Sequence, residues 1–276
     1  MQCTCFPRVS FLPALVAALL LSSSACDLQA DDSGTKIAKR TEVAEGCRAQ
    51  PLHAPLQASR DSLRSLEKLW DWEAIFIKKE MVNGIMYPHH MRLKHRVKPF
   101  SVYMLYLKMH QGREVIYVEG QNNGNLVAHE TGIAGLIGAI QLAPTSAQAM
   151  AEGTNPITRI GMTKMVEGII DQYERELAGN PDEIEVKYYP NAKLGDRACQ
   201  VIESTYLVPR PHFKYHRSRL YLDKETNSPV RIEQYGFPPS PGGRPVLVGE
   251  WTYQNIKTNV GLKDIDFDVR NPSYNF

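Results

Sequence analysis

The histidines are the residues of this chain that most invite metal or acid–base chemistry. His89 and His90 are adjacent in a predicted strand, so their side chains point to opposite faces and cannot share a metal ion. The stretch around His212 and His216 alternates as a strand does, which puts both imidazoles on one face with Lys214 between them. A lysine cation in that position opposes the binding of a cation, and a solvated face is the simpler interpretation. The sequence therefore predicts no metal site.

His129 and Glu130, before a glycine-rich segment, are the candidates for a general base. Adjacent strand residues diverge, and no nucleophile is placed beside this pair. The chain has no Walker loop and no GxGxxG, HExxH or GxSxG motif. Because glycosidase carboxylates leave no local pattern, a hydrolase stays open as an alternative. We expect a non-enzymatic protein that needs no cofactor.

The strand predicted over residues 101–108 points most directly to a ligand. Both of its faces are apolar: Val102, Met104 and Tyr106 alternate with Tyr103, Leu105 and Leu107. An antiparallel strand usually shows one face to water. Either both faces of this strand are covered by protein, or one of them lines an apolar ligand cavity.

The glycine-rich run from residue 132 to 144 is hard to explain as surface, because it is apolar and uncharged. Glycines three residues apart allow close backbone approach. It is either a buried short element over the core or a movable lid on a bound acyl chain. In the second interpretation the ligand-binding residues are Tyr103, Leu105 and Leu107 of the strand and Leu136, Ile137 and Ile140 of the lid.

Hydrophobic periodicity supplies the elements that would hold these residues. Apolar residues at helical spacing predict one helix over about 55–69 and a second from Met162 to Leu177. Asn83-Gly84 predicts a tight hairpin. Alternating strands separated by turn residues fill the remainder, in the order helix, meander, helical insert, meander. This order predicts an α+β fold, with a curved antiparallel sheet and helices against one face.

The first thirty residues are typical of an export signal. Arg8 precedes an apolar run over 9–21, and small residues lead to Cys26. The run is too short to span a membrane. Small residues directly before a cysteine resemble a bacterial lipoprotein signal, in which Cys26 becomes the lipidated anchor. Ordinary cleavage, before Cys26 or after Ala30, is the alternative. We expect a periplasmic or cell-envelope protein, anchored to a membrane through Cys26.

The remaining chain divides simply. We predict a signal peptide over 1–25, a polar tether over 26–50 and a single domain over 51–276. With 32 basic against 30 acidic residues, no nucleic-acid partner is indicated. Cys47 lies in the tether and Cys199 in a strand-like run, so we expect no disulfide between them.

Several motifs resemble a bacterial domain-of-unknown-function family, number 1571. They are Lys98-Pro-Phe-Ser-Val-Tyr103, the run from Gly112 to Gly120, Asn155-Pro-Ile-Thr158, Arg231 to Tyr235, Trp251 to Ile256 and Asp266 to Phe276. The resemblance covers roughly residues 56–276. It implies membership of a class without an established activity.

A looser resemblance is to periplasmic lipoprotein carriers of the LolA type. It rests on the order helix, strand, Asn-Gly hairpin and Pro99, and on the late runs Tyr221 to Val230 and Tyr253 to Ile256. Those carriers fold as an unclosed β-barrel with helices as a lid and hold acyl chains inside. The resemblance therefore implies an unclosed barrel here, with the N-terminal helix and helical insert against its concave face. Lys98 stands where the carriers have arginine, and a lysine lacks the bidentate fork.

Three functions follow as hypotheses. The first is a carrier or sensor of an apolar ligand, such as a lipid or lipoprotein acyl chain. The second is a protein-interaction module whose core is filled by its own side chains. The third is a hydrolase of the cell envelope.

Overall fold

The structure is a computed structural model that describes residues 49–240 and 242–276. The predictions about the export signal, Cys26 and Cys47 lie outside the described residues. The described helices are α1 (His53–Ser65) and α2 (Met162–Glu176). The strands are β1 (Asp71–Val82), β2 (Ile85–Arg96), β3 (Ser101–Lys108), β4 (Glu114–Val118), β5 (Leu126–His129), β6 (Ile140–Leu142), β7 (Ile184–Leu194), β8 (Arg197–Tyr206), β9 (Arg217–Asp223), β10 (Pro229–Gly236) and β11 (Val246–Thr258).

The eleven strands form one antiparallel sheet in the order β6-β5-β4-β3-β2-β1-β11-β10-β9-β8-β7. Two meanders are thus joined at the centre, where Phe76 of β1 lies opposite Tyr253 of β11. The edge strands β6 and β7 do not pair with each other, so the sheet is not closed. The predicted fold class is confirmed: a large open antiparallel sheet with two helices.

Both helices lie on one face of the sheet, which we call the inner face. Leu56 of α1 and Val166 and Ile169 of α2 share one buried core with Phe76 and Leu93 of the sheet. α2 buries the apolar stripe that its periodicity predicted. No helix within the described residues is long and apolar enough to cross a membrane.

The opposite, outer face is covered beneath β3 and β4 by the C-terminal segment, residues 262–276. Tyr103 and Ile116 form a second core with Phe267 of this segment. The Tyr103 ring stacks on Tyr274 with 4.0 Å between centroids. The two-faced strand is therefore covered on both sides, and its outer apolar face belongs to this second core.

The outer face of the other meander is polar and ion-paired. Arg219 contacts Glu203 at 2.5 Å, and Arg231 contacts Glu233 at 3.0 Å and Glu250 at 2.8 Å. The strands β8 to β11 alternate in sequence because one side packs on the helices, while the other carries carboxylates buried beneath partly exposed arginine side chains.

Two predicted elements are corrected. The strand predicted around His212 and His216 is not formed: β9 begins only at Arg217, after a stretch that contains Pro209 and Pro211, which cannot donate to a ladder. His212 and Lys214 therefore lie in the connection between β8 and β9. The glycine-rich run forms a short 3-10 helix, Gly132–Ile137, and then the edge strand β6.

Candidate ligand-binding site

A cavity of about 190 Å³ lies between the inner face of the sheet and α2. About half of its wall surface is apolar, and this part comes from the centre of the sheet and one side of the helix: Phe76, Met91, Met104, Ile232, Tyr253, Met165 and Ile169. The cavity exists because the central strands and the helix each turn an apolar side towards it without filling the space between them.

A second cavity of about 310 Å³ adjoins the first, under residues 143–160, which we call the covering segment. This segment connects β6 to α2 and lies over the inner face of β3 to β6. The two cavities share Lys78, Met104, Tyr106, Asn155 and Ile160 as lining residues. They therefore form two compartments of one site, with a volume in the range of small-molecule sites.

Tyr253 forms the centre of the floor. It is 2% exposed, and its ring stacks on Phe76 at 4.8 Å and meets Trp72 edge-on at 5.1 Å. Its hydroxyl accepts a hydrogen bond from the Gly161 backbone N–H at 3.0 Å. Gly161 directly precedes α2, so this bond holds the start of the helix on the sheet.

Buried Glu80 of β1 holds the covering segment on the sheet through hydrogen bonds. Its carboxylate accepts hydrogen bonds from the Thr154 N–H and the Asn155 amide at 2.9 Å and from the Trp251 indole at 3.0 Å. The Lys78 ammonium lies 3.2 Å away. Burial raises the pKa of Glu80, but Lys78 and these donors outweigh it and lower the pKa below its usual value. Glu80 is therefore a carboxylate saturated by donors.

Glu152 makes a second tie. Its carboxylate lies 3.0 Å from His89 Nε2 and 2.9 Å from His110 Nε2, with Arg113 at 3.6 Å. The two imidazoles and the carboxylate have ligand atoms within 4.8 Å of one another, close enough to hold a metal ion. Burial and the charge of Lys78 lower the pKa of His89. Because the cations of Arg113 and Lys78 already face this group, we assign it as a hydrogen-bonded tie.

This group was not found from the sequence, which considered His89 only with its neighbour His90. Its other members come from a turn after β3 and from the covering segment, far away along the chain. His129 and Glu130, the candidates for a general base, do not contact each other in the described structure. His129 Nε2 lies 3.3 Å from the Gly135 carbonyl oxygen, whereas Glu130 pairs with Arg113 at 2.6 Å.

Positive side chains surround the first cavity. Arg159, Arg175 and Lys214 are exposed at its rim, and none of them forms an ion pair with another described residue. Lys164 at the same rim is paired with Glu167 at 2.8 Å. The carboxylate of Asp171 also lines the cavity. The rim is therefore more positive than the nearly neutral chain as a whole.

The six predicted ligand-binding residues do not come together. Ile140 lines the second cavity. Tyr103 and Leu105 lie on the outer face in the second core, and Leu107 is half-buried. Leu136 and Ile137 are 86% and 80% exposed.

The opposite face of the same strand, with Met104 and Tyr106, lines both cavities instead. Strand alternation separated the two sets correctly. It gave no sign of which set faces the helices, because the C-terminal segment that covers the other set is distant in sequence.

A family model described as "Protein of unknown function (DUF1571)" matches residues 69–276. No curated protein is similar enough to match. Among solved structures, the lipoprotein LppX of Mycobacterium tuberculosis is 14% identical, covering 78% of this chain and 98% of its own, with a TM-score of 0.43.

A putative outer membrane lipoprotein-sorting protein domain from Vibrio parahaemolyticus is 11% identical, covers 77% of this chain and 95% of its own, and has a TM-score of 0.35. A LolA superfamily protein from Nitrosomonas europaea is 10% identical, covers 77% and 96%, and has a TM-score of 0.32. Likeness at these scores identifies no ligand, which has to be inferred from this protein's own cavities.

Proposed function

Since the chain belongs to the DUF1571 family, whose members share no assigned activity, we propose from its site that the protein is a non-enzymatic binder or carrier of an apolar ligand, a lipid or a lipoprotein acyl chain. The observation that carries this proposal is the pair of adjoining cavities between the inner face and α2. A filled core, as the interaction-module hypothesis requires, would leave no such space.

The apolar half of the walls suits an alkyl chain. Side chains such as Met91, Met104 and Ile232 offer no hydrogen bonds, so binding comes from removing apolar surface from water. Each buried methylene contributes about 0.8 kcal/mol before the costs of association and ordering. Methionines adapt their shape easily, which suits a flexible chain.

The hydrolase hypothesis has less support. Three carboxylates line the cavities. Glu152 is held by His89 and His110 and Glu130 by Arg113, whereas Asp171 lies at the exposed rim. A general acid or base must exchange its proton with the substrate, and a carboxylate already held by such partners is poorly placed for that role.

An envelope location completes the proposal. The predicted signal and Cys26 would place the domain outside the cytoplasm, where lipids and lipoproteins need shielding from water. The predicted tether over residues 26–50 would let an anchored domain stand clear of lipid headgroups.

Titration with a fluorescent fatty acid tests the function directly, and native mass spectrometry of the purified protein shows whether a lipid accompanies it. We expect saturable binding at micromolar protein. Met165→Trp fills the first cavity from α2 and should weaken binding about tenfold or more, which is 1.4 kcal/mol or more. Thr163→Trp, on the same helix but away from the cavity lining, is the matched control. No saturable binding by the wild-type protein would overturn the proposal in favour of an interaction module.

A further inference from the structure

The rim of the first cavity carries charges that an uncharged ligand would not use. Arg175 belongs to α2, Arg159 precedes this helix, and Lys214 lies in the connection between β8 and β9. Phe213, next to Lys214, approaches Gly179 just after α2, so Lys214 belongs to the same end of the helix as Arg175. Arg159 lies at the opposite end of α2, about 20 Å or more along the helix axis. Among the described residues none of the three cations is neutralised by an ion pair.

The other cations of the lining are already occupied. Lys78 contacts Glu80 at 3.2 Å, and Lys164 contacts Glu167 at 2.8 Å. Lys214 lies 5.0 Å from the centre of the Tyr215 ring, a contact that leaves the ammonium able to meet an anion. With Asp171 as the opposing carboxylate, the rim keeps an excess of positive charge.

Apolar walls below a positive rim match one class of molecule. We propose, building on the proposed function, that the ligand is an anionic amphiphile, whose alkyl chain fills the cavity while its carboxylate or phosphate lies at the rim against Arg175 and Lys214. Guanidinium groups bind carboxylate and phosphate oxygens through two parallel hydrogen bonds, and an ammonium adds a point charge.

Asp171 opposes the positive charge at this end of the rim. It lies one helical turn before Arg175 on α2 and lines the same cavity, so an anionic head group near Arg175 meets one repulsive carboxylate. Asp171→Asn removes this repulsion and should tighten the binding of any anionic amphiphile.

Two probes with the same alkyl chain distinguish the contribution of the head group to affinity from that of the alkyl chain. They are oleate, measured at pH 8.5 as the carboxylate, and oleyl alcohol. We expect oleate to bind about tenfold more tightly or better, as charge-assisted hydrogen bonds would give. The variant Arg175→Glu/Lys214→Glu should abolish this preference while oleyl alcohol still binds. Lys257→Glu, an exposed charge change away from the cavities, should alter neither.

Each outcome decides something. Equal affinity for the two probes would overturn the anionic head group and leave the apolar binder intact. Binding of neither probe would overturn the proposed function itself. Inorganic phosphate at millimolar concentration should not compete with oleate, because it lacks the chain; full competition would show that the rim binds free anions and that the alkyl chain contributes nothing.

Discussion

The backbone N–H of Gly161 donates to the hydroxyl of Tyr253 at 3.0 Å, joining the start of α2 to the central strand of the sheet. Gly161 has φ +119°, and a Cβ there would lie 2.7 Å from His95 Nε2. The position therefore requires glycine for both its backbone and its surroundings. This single hydrogen bond fixes the position of the start of α2, the helix that covers the first cavity.

Gly161→Ala should lower the free energy of unfolding by about 2 kcal/mol or more, because it adds backbone strain and a clash with a buried ring. Tyr253→Phe should cost about 1–2 kcal/mol, since it leaves a buried N–H unpaired. Urea unfolding of each variant measures both values. Gly168→Ala, on an interior turn of α2 with open space at its Cβ, should instead be neutral or stabilising by up to about 1 kcal/mol. Equal losses at the two glycines would contradict this account.

Glu176 predicts a dependence of stability on pH. It is buried beside Tyr206 and Gln172, and burial raises its pKa to about 7. The folded state therefore keeps a proton that the unfolded chain releases near pH 4.5, so this contribution to stability falls as pH rises from about 4.5 to 7. Glu176→Gln should match the wild type near pH 4 and exceed it at pH 8 by up to about 3 kcal/mol.

The comparison has to be made between variants at each pH. His95 acts in the opposite direction, because burial lowers its pKa to about 4. Below pH 6.5 the unfolded chain binds a proton on this imidazole that the folded state does not bind until about pH 4. Its contribution is present above pH 6.5 and is lost as pH falls towards 4. If Glu176→Gln left the difference from wild type constant across this range, the buried carboxyl would not titrate as described.

Leu136 and Ile140 separate two interpretations of the glycine-rich run. Ile140 lines the second cavity, so Ile140→Ser should weaken acyl-probe binding about tenfold by placing a hydroxyl in an apolar wall. Leu136→Ser should change the free energy of unfolding by less than about 0.5 kcal/mol, because the side chain is 86% exposed. A loss of affinity for Leu136→Ser as large as that for Ile140→Ser would show that the run closes on the ligand as a lid.

Tyr274 tests the cover of the outer face. Its ring stacks on Tyr103 and its hydroxyl donates to the Asp266 carbonyl at 2.8 Å. Tyr274→Ser should cost about 2–4 kcal/mol by uncovering the second core, with ligand affinity unchanged at temperatures where the protein is folded. Loss of affinity in a folded Tyr274→Ser variant would place a ligand on the outer face after all.

Cys26 remains the test of the anchor. Cys26→Ala should move the protein from the membrane fraction to the soluble fraction, since a lipidated cysteine is the predicted attachment. Cell fractionation and the mass of the mature N-terminus measure this. Unchanged fractionation, or a mature chain that begins at Asp31, would show that the signal is simply cleaved.

The local sequence pattern was sufficient to predict the sheet and the two helices. The strands of each meander alternate between apolar and polar residues, and turn-forming residues mark where one strand ends and the next begins. β3 begins and ends where the sequence predicts. The site was harder to predict, because its residues meet only through the topology. Asn155 reaches Glu80, and Glu152 reaches His89, across stretches of chain that no local period connects.

The pairing of β1 with β11 also concerns the order in which the molecule can form. Trp72 lies opposite Thr258, so the middle of the sheet joins segments from near the two ends of the described chain. Such long-range pairing gives a high contact order and slow folding. Until β11 has emerged from the ribosome, β1 presents an unpaired edge that other chains can pair with. The central strand pair is therefore completed only when the last strand is available, and the edge of β1 is open to aggregation until then.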